Sequence, residues 1–499
     1  RQSLRTIGAL GPGDPHGTIA VFNPTPQPAT GYVVATVPWN DEQPVVAVIA
    51  PDGQRIAARQ VGETMHVVLP EGAPPGFDRA RAEIGFVAPE VPGYGYVMYR
   101  IERAEMPEKA PAPSAGATIE NEYLRVTADP ADGTLTVHDK RTGRDYTGLN
   151  RFVDGGDRGD EYNYCPPEAD TIVDGPSSPP RIRIETAAGT RSLVVELTYA
   201  LPTGLAGDRA SRGKATTGER IVSTVTLTDG VPRADVQTVA FNAAEDHRLR
   251  AHFPSGVRAR QSKADQHFGV VRRSIDLPEW DPATWMETPL GTYPQKAFVS
   301  VDDGTYGLTI ANRGLPEYEL LDEPGGATIA VTLLRCVGWL SRSDISTRRG
   351  GAGPQLRTPG AQLLGRNVLD YSIIPHAGDW SASGAHVLAV QFLRPMRARW
   401  NRHGLGHIDA RGQLLDVESP AFPVTAIKRA EDGDGVIVRL YNIFDTEAGT
   451  TVDLRPVSGS VHLTNLNEEP QADIPRLRGG VAVHGRPNEI VTLRWRRED

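Results

Sequence analysis

Apolar and polar residues alternate in short runs along most of the chain. Successive side chains of a strand point to opposite faces, so this period predicts strands with one buried and one wet face. Runs of this kind occupy residues 18–23, 32–37, 44–49, 66–69, 93–99, 182–186, 193–199, 221–227, 234–241, 435–441, 450–454, 460–463 and 489–495. The pattern predicts an all-β protein of packed antiparallel sheets, with residues 93–99 forming an edge strand.

Composition supports the same fold class and suggests several domains. The chain has 52 glycines and 41 prolines among 499 residues, which disfavours long helices and favours many turns. Prolines among small residues are typical of a linker and mark residues 105–118. We therefore predict a small β-sandwich over 1–104, this linker over 105–118, a large sandwich over 119–400 and a carboxyl-terminal β-sandwich over 401–499.

Charge narrows the choice of partners. The chain has 53 basic and 62 acidic residues and a formal net charge of −9. Because both signs are interspersed, we predict no nucleic-acid partner and no anionic membrane partner, whereas neutral carbohydrate suits such a surface. The sequence has no apolar run long enough to span a bilayer, and its first residues lack the features of a signal peptide. We therefore expect a cytoplasmic protein.

The two cysteines, Cys165 and Cys336, are too few for a disulfide scaffold. Free thiols in a reducing compartment are the simpler interpretation. A bridge between them stays open at this point, because sequence alone does not give the distance between the two residues.

Residues 150–167 combine acids, arginines, glycines and aromatic rings in one short segment. Carboxylates accept hydrogen bonds from sugar hydroxyls, a guanidinium donates in a fixed plane, and tyrosine offers a ring face and a polar tip. The segment therefore has the chemistry of a polyol site. The alternative is a solvated loop or a calcium-stiffened turn, since Asp154, Asp157 and Asp160 are hard oxygen ligands close together.

Six further segments have distinctive sequences that are informative together with residues 150–167. They read Ile-Glu-Asn-Glu-Tyr-Leu-Arg-Val at 119–126, Leu-Thr-Val-His-Asp-Lys-Arg-Thr-Gly-Arg at 135–144, Arg-Leu-Arg-Ala-His-Phe-Pro at 248–254, Ala-Asp-Gln-His-Phe at 264–268, Ala-Asn-Arg-Gly-Leu-Pro-Glu-Tyr at 311–318 and Leu-Arg-Cys-Val-Gly-Trp-Leu-Ser-Arg at 334–342. Together they resemble the carboxyl-terminal half of glycoside hydrolase family 38, the retaining α-mannosidases, in a bacterial form. The resemblance implies a galactose-mutarotase-like supersandwich flanked by smaller β-sandwich domains.

The resemblance also implies parts that this sequence lacks. Family members have an amino-terminal α/β barrel, in which a His-x-Asp pair, an aspartate nucleophile and a later histidine hold a divalent metal, usually zinc. A helical bundle follows the barrel. The only such pair here, His407 and Asp409, lies in a glycine-rich turn region and is interpreted as a coincidence. We therefore expect no catalytic residue and no metal ligand in this chain, with zinc in the missing barrel. The barrel, the bundle, an α-mannoside and a second copy of the protein are the expected partners.

Four residues are predicted to bind substrate: Tyr162, Asp160, Glu161 and Arg335. A tyrosine at the matching place in family members donates to mannose hydroxyls, although a packing role in a sheet, beside Tyr164, is the alternative. Neighbouring acids point to opposite faces of a regular strand, so one of Asp160 and Glu161 is expected to be structural.

In eukaryotic members of the family, an arginine in the corresponding strand reaches an outer sugar subsite. The resemblance therefore suggests sugar binding for Arg335 and also for Arg342. Four tryptophans are either sugar platforms or core residues, and three histidines are interpreted as satisfied structural residues. These are Trp280, Trp285, Trp339 and Trp380, and His247, His252 and His267.

Three functions remain in competition. The first is the carboxyl-terminal part of a retaining, metal-dependent α-mannosidase, which completes the sugar pocket of a barrel. The second is a non-catalytic carbohydrate-binding or scaffolding β-sandwich protein. The third is a mutarotase-like epimerase, which needs a carboxylate base and a histidine in one cleft.

Overall fold

The computed structural model describes residues 2–66, 80–104, 114–455, 459–477 and 480–496. The first group of elements comprises helix α1 Gln2–Leu10 and strands β1 Thr18–Phe22, β2 Ala29–Pro38, β3 Val45–Ile49, β4 Arg55–Ala57, β5 Arg59–His66, β6 Ala80–Val91 and β7 Gly95–Arg103. The second group comprises β8 Thr118–Glu120, β9 Leu124–Ala128, β10 Leu135–Asp139, β11 Arg144–Leu149, β12 Arg151–Gly156, β13 Arg181–Ala187, β14 Thr190–Pro202, β15 Thr216–Thr228, β16 Ala234–Asn242, β17 His247–Pro254, β18 Gln261–Gln266, β19 Gly269–Ser274, β20 Thr292–Pro294, β21 Phe298–Asp302, β22 Tyr306–Arg313, β23 Glu317–Glu323, β24 Gly326–Arg335, a 3₁₀ turn Pro359–Gln362, β25 Gly365–Ala377 and helix α2 Ala385–Leu393. The third group comprises β26 Arg397–Asn401, β27 Arg411–Gln413, β28 Leu415–Val417, β29 Val424–Arg429, β30 Val436–Tyr441, β31 Ala448–Leu454, β32 Val461–Thr464, β33 Pro470–Ile474, β34 Val481–Gly485 and β35 Ile490–Trp495.

The amino-terminal strands form two sheets that enclose one core. One sheet has the order β26-β1-β7-β3-β4, with β27 also paired to β7, and the other has the order β2-β6-β5. Their facing side chains include Val33, Phe86 and Tyr99, all buried. The predicted edge strand at 93–99 is wrong. Strand β7 lies between β1 and β3 and is buried along most of its length, because distant strands pair with both of its sides.

The large middle part is a sandwich of three sheets. A nine-stranded sheet of order β13-β14-β15-β16-β25-β22-β21-β18-β19 packs with a five-stranded sheet, β12-β17-β24-β23-β20, and a four-stranded sheet, β11-β10-β9-β8. Residues of β16 alternate between buried and wetter positions, as the sequence predicts, whereas β24 is buried at all positions but its last. Aromatic pairs such as Phe253 and Tyr371, with ring centroids 5.7 Å apart, join the facing sheets.

The carboxyl-terminal part is a smaller sandwich of the sheets β28-β31-β34 and β29-β30-β35-β32-β33. Phe422 and Trp495 lie in its buried core. The all-β prediction, with a large sandwich flanked by smaller ones, is confirmed. Helix α2, which the composition argued against, is apolar on most of its surface and packs against β22 and β25.

The predicted domain ranges stay a prediction, but strand pairing bears on them. Strand β26 pairs with β1, so that Ile19 lies opposite Trp400, and β27 pairs with β7. The first sheet thus contains residues from all three predicted domain ranges. The strand part 67–69 and most of the predicted linker, 105–113, lie outside the described residues. No helix in the part of the chain that is described is long and apolar enough to cross a membrane.

Candidate functional site

The candidate site is built around the segment after β12. Strand β12 pairs with β17, and β17 pairs in turn with β24, which ends at Arg335. Residues 157–167 leave the sheet and contain no strand, so strand alternation does not decide which way Tyr162 and Tyr164 face. We call residues 157–167 the Asp-Tyr loop.

Three aspartates of this region are buried, and each is paired with a different arginine. The pairs are Asp154 with Arg212 at 2.6 Å, Asp157 with Arg335 at 2.9 Å and Asp160 with Arg348 at 2.5 Å. Buried carboxylates require such compensation, because burial of an unpaired charge is costly. Their oxygens face guanidinium groups from separate parts of the chain, an arrangement that does not fit the calcium-stiffened turn considered from the sequence.

Asp160 holds the loop together from inside. Its carboxylate accepts hydrogen bonds from the backbone N–H groups of Tyr162 and Asn163, both at 3.0 Å, from that of Arg342 at 2.7 Å, and from the Arg348 guanidinium. Burial alone would raise the pKa of Asp160, but the bonds from Arg348 and the backbone outweigh it and lower the pKa below its ordinary value. Both oxygens are thus used within the protein.

Asp157 links the loop to strand β24. Its Oδ1 accepts from the N–H groups of Gly159 and Cys165, at 2.8 and 3.2 Å. Arg335 approaches its other oxygen, and also donates from Nη2 to the Asp160 carbonyl at 2.6 Å. Complete burial raises the pKa of Asp157 to about 6, although Arg335 and the backbone donors oppose the rise.

An open cleft lies beside the loop, and two of the four predicted residues line it. Tyr162 and Arg335 form part of its wall, and Trp285 and Glu317 also line it. The cleft encloses about 940 Å³ of empty space, including its mouth. The Tyr162 side chain is 56% exposed and that of Trp285 is 46% exposed. We call this the Tyr162 cleft.

Asp160 and Glu161 do not line the Tyr162 cleft. Asp160 is buried beneath the loop, whereas Glu161 is exposed, with its backbone N–H bonded to the Trp339 carbonyl at 3.1 Å. The structure therefore brings Tyr162 and Arg335 together and leaves the two acids elsewhere. Arg342, the second arginine named from the sequence, forms a two-point ion pair with Asp344.

Sequence reasoning missed Glu317, which lines the cleft, and Arg248, which lies behind the lining residue Tyr164. The Arg248 guanidinium stacks on the Tyr164 ring at 3.6 Å from its centroid, which fixes that ring. Glu317 accepts from the Thr332 hydroxyl at 2.6 Å and lies 3.7 Å from Arg248. Both belong to segments already noted for their resemblance, 248–254 and 311–318, and this was the available signal.

The tryptophans differ in position. Trp285 lines the cleft, Trp280 is 40% exposed, and Trp380 is a core residue. Trp339 lies between the guanidinium groups of Arg342 and Arg357, at 4.8 and 4.0 Å.

Both cysteines are buried free thiols, so the alternative of a bridge is not realised. Cys165 lies 3.3 Å from the Ser346 hydroxyl, and the Cys336 sulfur accepts from Asn242.

A buried network of charged groups lies behind the loop. His247 Nδ1 is 2.5 Å from Asp154 and its Nε2 is 3.1 Å from the Asn242 amide oxygen. Burial alone would lower the pKa of His247, but the Asp154 carboxylate prevails and holds it well above the ordinary value. Glu219 is buried nearby without a well-formed hydrogen bond, and burial raises its pKa to about 7.

His252 departs from its prediction as a satisfied histidine. It is buried on β17, and neither ring nitrogen has a hydrogen-bond partner among the described residues. Burial, aided by the charges of Arg250 and Arg151, lowers its pKa to about 3, so it is neutral. His267 is exposed.

Replacing Glu219 with glutamine should flatten the dependence of stability on pH. An unfolded glutamate has a pKa of about 4.3, so the raised folded value of about 7 stabilises the folded state at low pH. That contribution is lost as the pH rises towards 7. The two pKa values correspond to about 3 to 4 kcal/mol at pH 8. Because the buried glutamine amide also lacks a partner, we expect Glu219→Gln to raise the free energy of unfolding there by about 1 to 2 kcal/mol. Denaturant unfolding between pH 5 and 8 measures this. An unchanged slope between pH 5 and 7 would contradict it.

Comparisons with known proteins agree with this architecture. Residues 119–341 match the glycosyl hydrolases family 38 C-terminal domain, and residues 421–493 match the glycosyl hydrolases family 38 C-terminal beta sandwich domain. A putative mannosylglycerate hydrolase from Halalkalibacterium halodurans is 29% identical over 396 residues, which are 76% of this chain and 41% of that protein.

Two solved structures from Enterococcus faecalis have the same fold. One, an alpha-mannosidase from strain V583, superposes with a TM-score of 0.79 at 25% identity, over 96% of this chain and 56% of its own. The other, a protein in glycosyl hydrolase family 38, superposes with a TM-score of 0.80 at 24% identity, over 98% of this chain and 60% of its own. This chain thus spans about two fifths to three fifths of the length of these proteins. Sequence matches and fold together show that it belongs to glycosyl hydrolase family 38, whose carboxyl-terminal domains it contains.

Proposed function

We propose that this chain completes the sugar site of an α-mannoside-hydrolysing enzyme, with the Tyr162 cleft as its part of the pocket. The observation behind the proposal is that Tyr162 and Arg335, nominated separately and far apart in sequence, line one open cleft. The printed descriptions of the relatives name an alpha-mannosidase and a mannosylglycerate hydrolase, which favours a mannoside as substrate.

Each side chain of the cleft has a proposed task. The exposed Tyr162 hydroxyl would hydrogen-bond a sugar hydroxyl, and the Trp285 face would pack against the C–H face of a ring. Arg335 keeps the loop in place through Asp157 and the Asp160 carbonyl, and its Nη1 remains for an oxygen of the substrate. The stacked Tyr164 and Arg248 limit movement of the wall.

The hydrolytic groups are proposed to lie outside this chain. The described residues contain no group of three or more histidine, cysteine, aspartate or glutamate side chains with the geometry of a metal site. The loop aspartates are engaged by arginines, so these residues do not fit zinc. We infer that an amino-terminal barrel would supply the nucleophile, the acid/base group and the metal of a retaining mechanism.

An exposed apolar segment beside the cleft supports a covering partner. Leu277, Trp285 and Met286 are 47%, 46% and 64% exposed, in a segment without strands between β19 and β20. Apolar residues grouped in this way are typical of an interaction surface. We propose that the barrel and helical bundle cover Leu277 and Met286, while Trp285 faces the sugar. A homo-oligomer and a cytoplasmic location are further expectations.

The two alternatives differ from this proposal in their chemistry. A non-catalytic carbohydrate-binding protein would bind through the same cleft without hydrolysis. An epimerase requires a carboxylate and a histidine in one cleft, and the described lining of the Tyr162 cleft includes no histidine. The test uses a protein expressed from the coding sequence of this chain together with the coding sequence that adjoins it in the gene. We expect that protein to hydrolyse 4-nitrophenyl α-mannoside, and binding without hydrolysis would favour the non-catalytic alternative.

The chain of 499 residues by itself should not hydrolyse this substrate, with or without added zinc. The physical reason is that the described residues contain no cluster with the geometry of a metal site, and that the nucleophile and the acid/base group are proposed to come from the barrel. Release of 4-nitrophenol is measured against a mock preparation that contains no expressed chain. Turnover that scales with the purified chain would contradict the proposal and would direct attention to Glu287 and Glu317 in the cleft.

A further inference from the structure

A second polar cleft lies at the edge of the amino-terminal sheets and shares no lining residue with the Tyr162 cleft. Trp39, directly after β2, and Trp400, on β26, form its aromatic walls. It encloses about 700 Å³ of empty space, including its mouth. Without the solvent at the mouth the cavity volume is about 270 Å³, just below the range of about 300 to 1,000 Å³ typical of small-molecule sites. We call it the Trp39–Trp400 cleft.

Each indole ring is held in place by a hydrogen bond from its own N–H group. Trp39 Nε1 donates to Asp41 Oδ1 at 2.8 Å, and Trp400 Nε1 donates to the His16 carbonyl at 3.4 Å. The backbone passes close to Trp400 at Gly17, which has a φ of +82° and where a Cβ would lie 2.4 Å from Trp400 Nε1. Because both indole N–H groups already donate within the protein, the indoles would contact a ligand through their partly exposed ring faces.

Side-chain groups of Asn40, Gln43 and His16 lie near the two rings without hydrogen-bond partners among the described residues. The Asn40 amide oxygen accepts from the Glu42 N–H at 3.0 Å, but within the described chain its Nδ2 has no partner. The Gln43 amide and the His16 imidazole likewise make no hydrogen bond to any described residue. Arg103 holds the intervening loop by donating to the Pro38 and Gln43 carbonyls at 2.7 and 2.9 Å. The backbone is therefore fixed while the side-chain donors and acceptors remain available.

We propose that the Trp39–Trp400 cleft binds a sugar residue of a neutral oligosaccharide. A pyranose ring presents C–H faces that stack on indole, and its hydroxyls both donate and accept, as amide and imidazole groups do. No carboxylate is among the residues that line the cleft, which disfavours a cationic ligand or a metal. The two arginines of the lining, Arg103 and Arg402, are both engaged in interactions within the protein, which disfavours a polyanion. The site lies apart from the proposed hydrolytic pocket and does not depend on it.

The test is calorimetric titration of the full chain with mannobiose, cellobiose, maltose and chitobiose. At least one should bind, and Trp39→Ala should weaken that binding by about tenfold or more, as expected for an aromatic anchor. Asn40→Ala and Gln43→Ala should each weaken it by a smaller factor. The matched control is Trp280→Ala, which removes a tryptophan that is 40% exposed and lines neither cleft, and which should leave this affinity unchanged.

Several outcomes would overturn the proposal. They are absence of binding by every sugar, unchanged binding after Trp39→Ala, and loss of binding after Trp285→Ala in the Tyr162 cleft, which would assign the sugar to that cleft. Circular dichroism checks that each variant is folded. If Trp39→Ala is not folded, the Asn40→Ala/Gln43→Ala double variant decides, and unchanged affinity there would contradict the proposal. Binding of a peptide or heparin in place of all four sugars would contradict the ligand class.

Discussion

Replacing Arg348 with methionine should lower the free energy of unfolding by about 3 to 5 kcal/mol, the usual cost of removing one partner of a buried ion pair. The Asp160 side chain is 0% exposed and that of Arg348 is 4% exposed. Without the guanidinium, the carboxylate stays buried with only backbone donors and the loop loses its central bond. Thermal and denaturant unfolding measure the change.

Arg342→Met is the matched control, because it removes an arginine near the same loop. The Arg342 side chain pairs with Asp344, which is 56% exposed, so its loss should cost no more than about 1 kcal/mol. The backbone N–H of residue 342 would still donate to Asp160. Adding Asp160→Asn to Arg348→Met should recover part of the loss, since no charge then remains unpaired. Equal losses for the two arginine variants would show that Arg348 is not the anchor of the loop.

Local pattern predicted the strands well where one face is buried and the other is wet. The alternation at 234–241 corresponds to β16, Ala234–Asn242, and that at 193–199 lies within β14. It failed for β7, because edge or centre is decided by which strands pair with it, and β1 and β3, which pair with its two sides, are separate strands earlier in the chain. Helix α2 was missed because it is apolar nearly all round, so its sequence has little amphipathic period.

The candidate site, too, could be predicted only as far as it depends on local sequence and not on contacts between distant residues. Residue chemistry identified the segment 150–167, and resemblance nominated Tyr162 and Arg335, which line one cleft. Nothing local indicates that Asp160 is neutralised by Arg348, 188 positions along the chain. The strand argument for Asp160 and Glu161 rested on regular alternation, and the Asp-Tyr loop has none. Their substrate-binding role therefore stays a prediction.

The arginine pairs also explain why a flexible-looking, glycine-rich sequence can form a fixed wall. Each of three buried aspartates is fastened to a different arginine, and these arginines come from β24 and two other segments of the middle sandwich. Two of the pairs tie the Asp-Tyr loop to β24 and to the segment around Arg348, and the third fixes the end of β12 from which the loop departs, which favours a reproducible geometry. The Tyr162 side chain is 56% exposed and its hydroxyl makes no hydrogen bond to a described residue, so that hydroxyl is available to a ligand.

Replacing Tyr162 with phenylalanine should lower the catalytic efficiency of an active α-mannosidase that contains this chain by about ten- to hundredfold. The reason is the loss of one hydrogen bond to the bound sugar, worth about 1 to 3 kcal/mol when its partner is left unpaired. Stability should hardly change, because the ring is 56% exposed and its contact with the Arg348 guanidinium, at 5.9 Å, remains possible. Steady-state kinetics and the melting temperature measure the two effects.

Tyr306→Phe provides the matched control. Tyr306 is also a partly exposed tyrosine whose ring lies near a guanidinium, that of Arg144 at 4.7 Å, but it does not line the Tyr162 cleft. Its substitution should leave catalytic efficiency within about twofold of the parent enzyme, since a surface change away from the site has little effect. A large fall in melting temperature for Tyr162→Phe, with unchanged efficiency per folded molecule, would instead identify Tyr162 as a structural residue. In that case the Tyr162 cleft would lose the residue on which its assignment as a sugar site mainly depends.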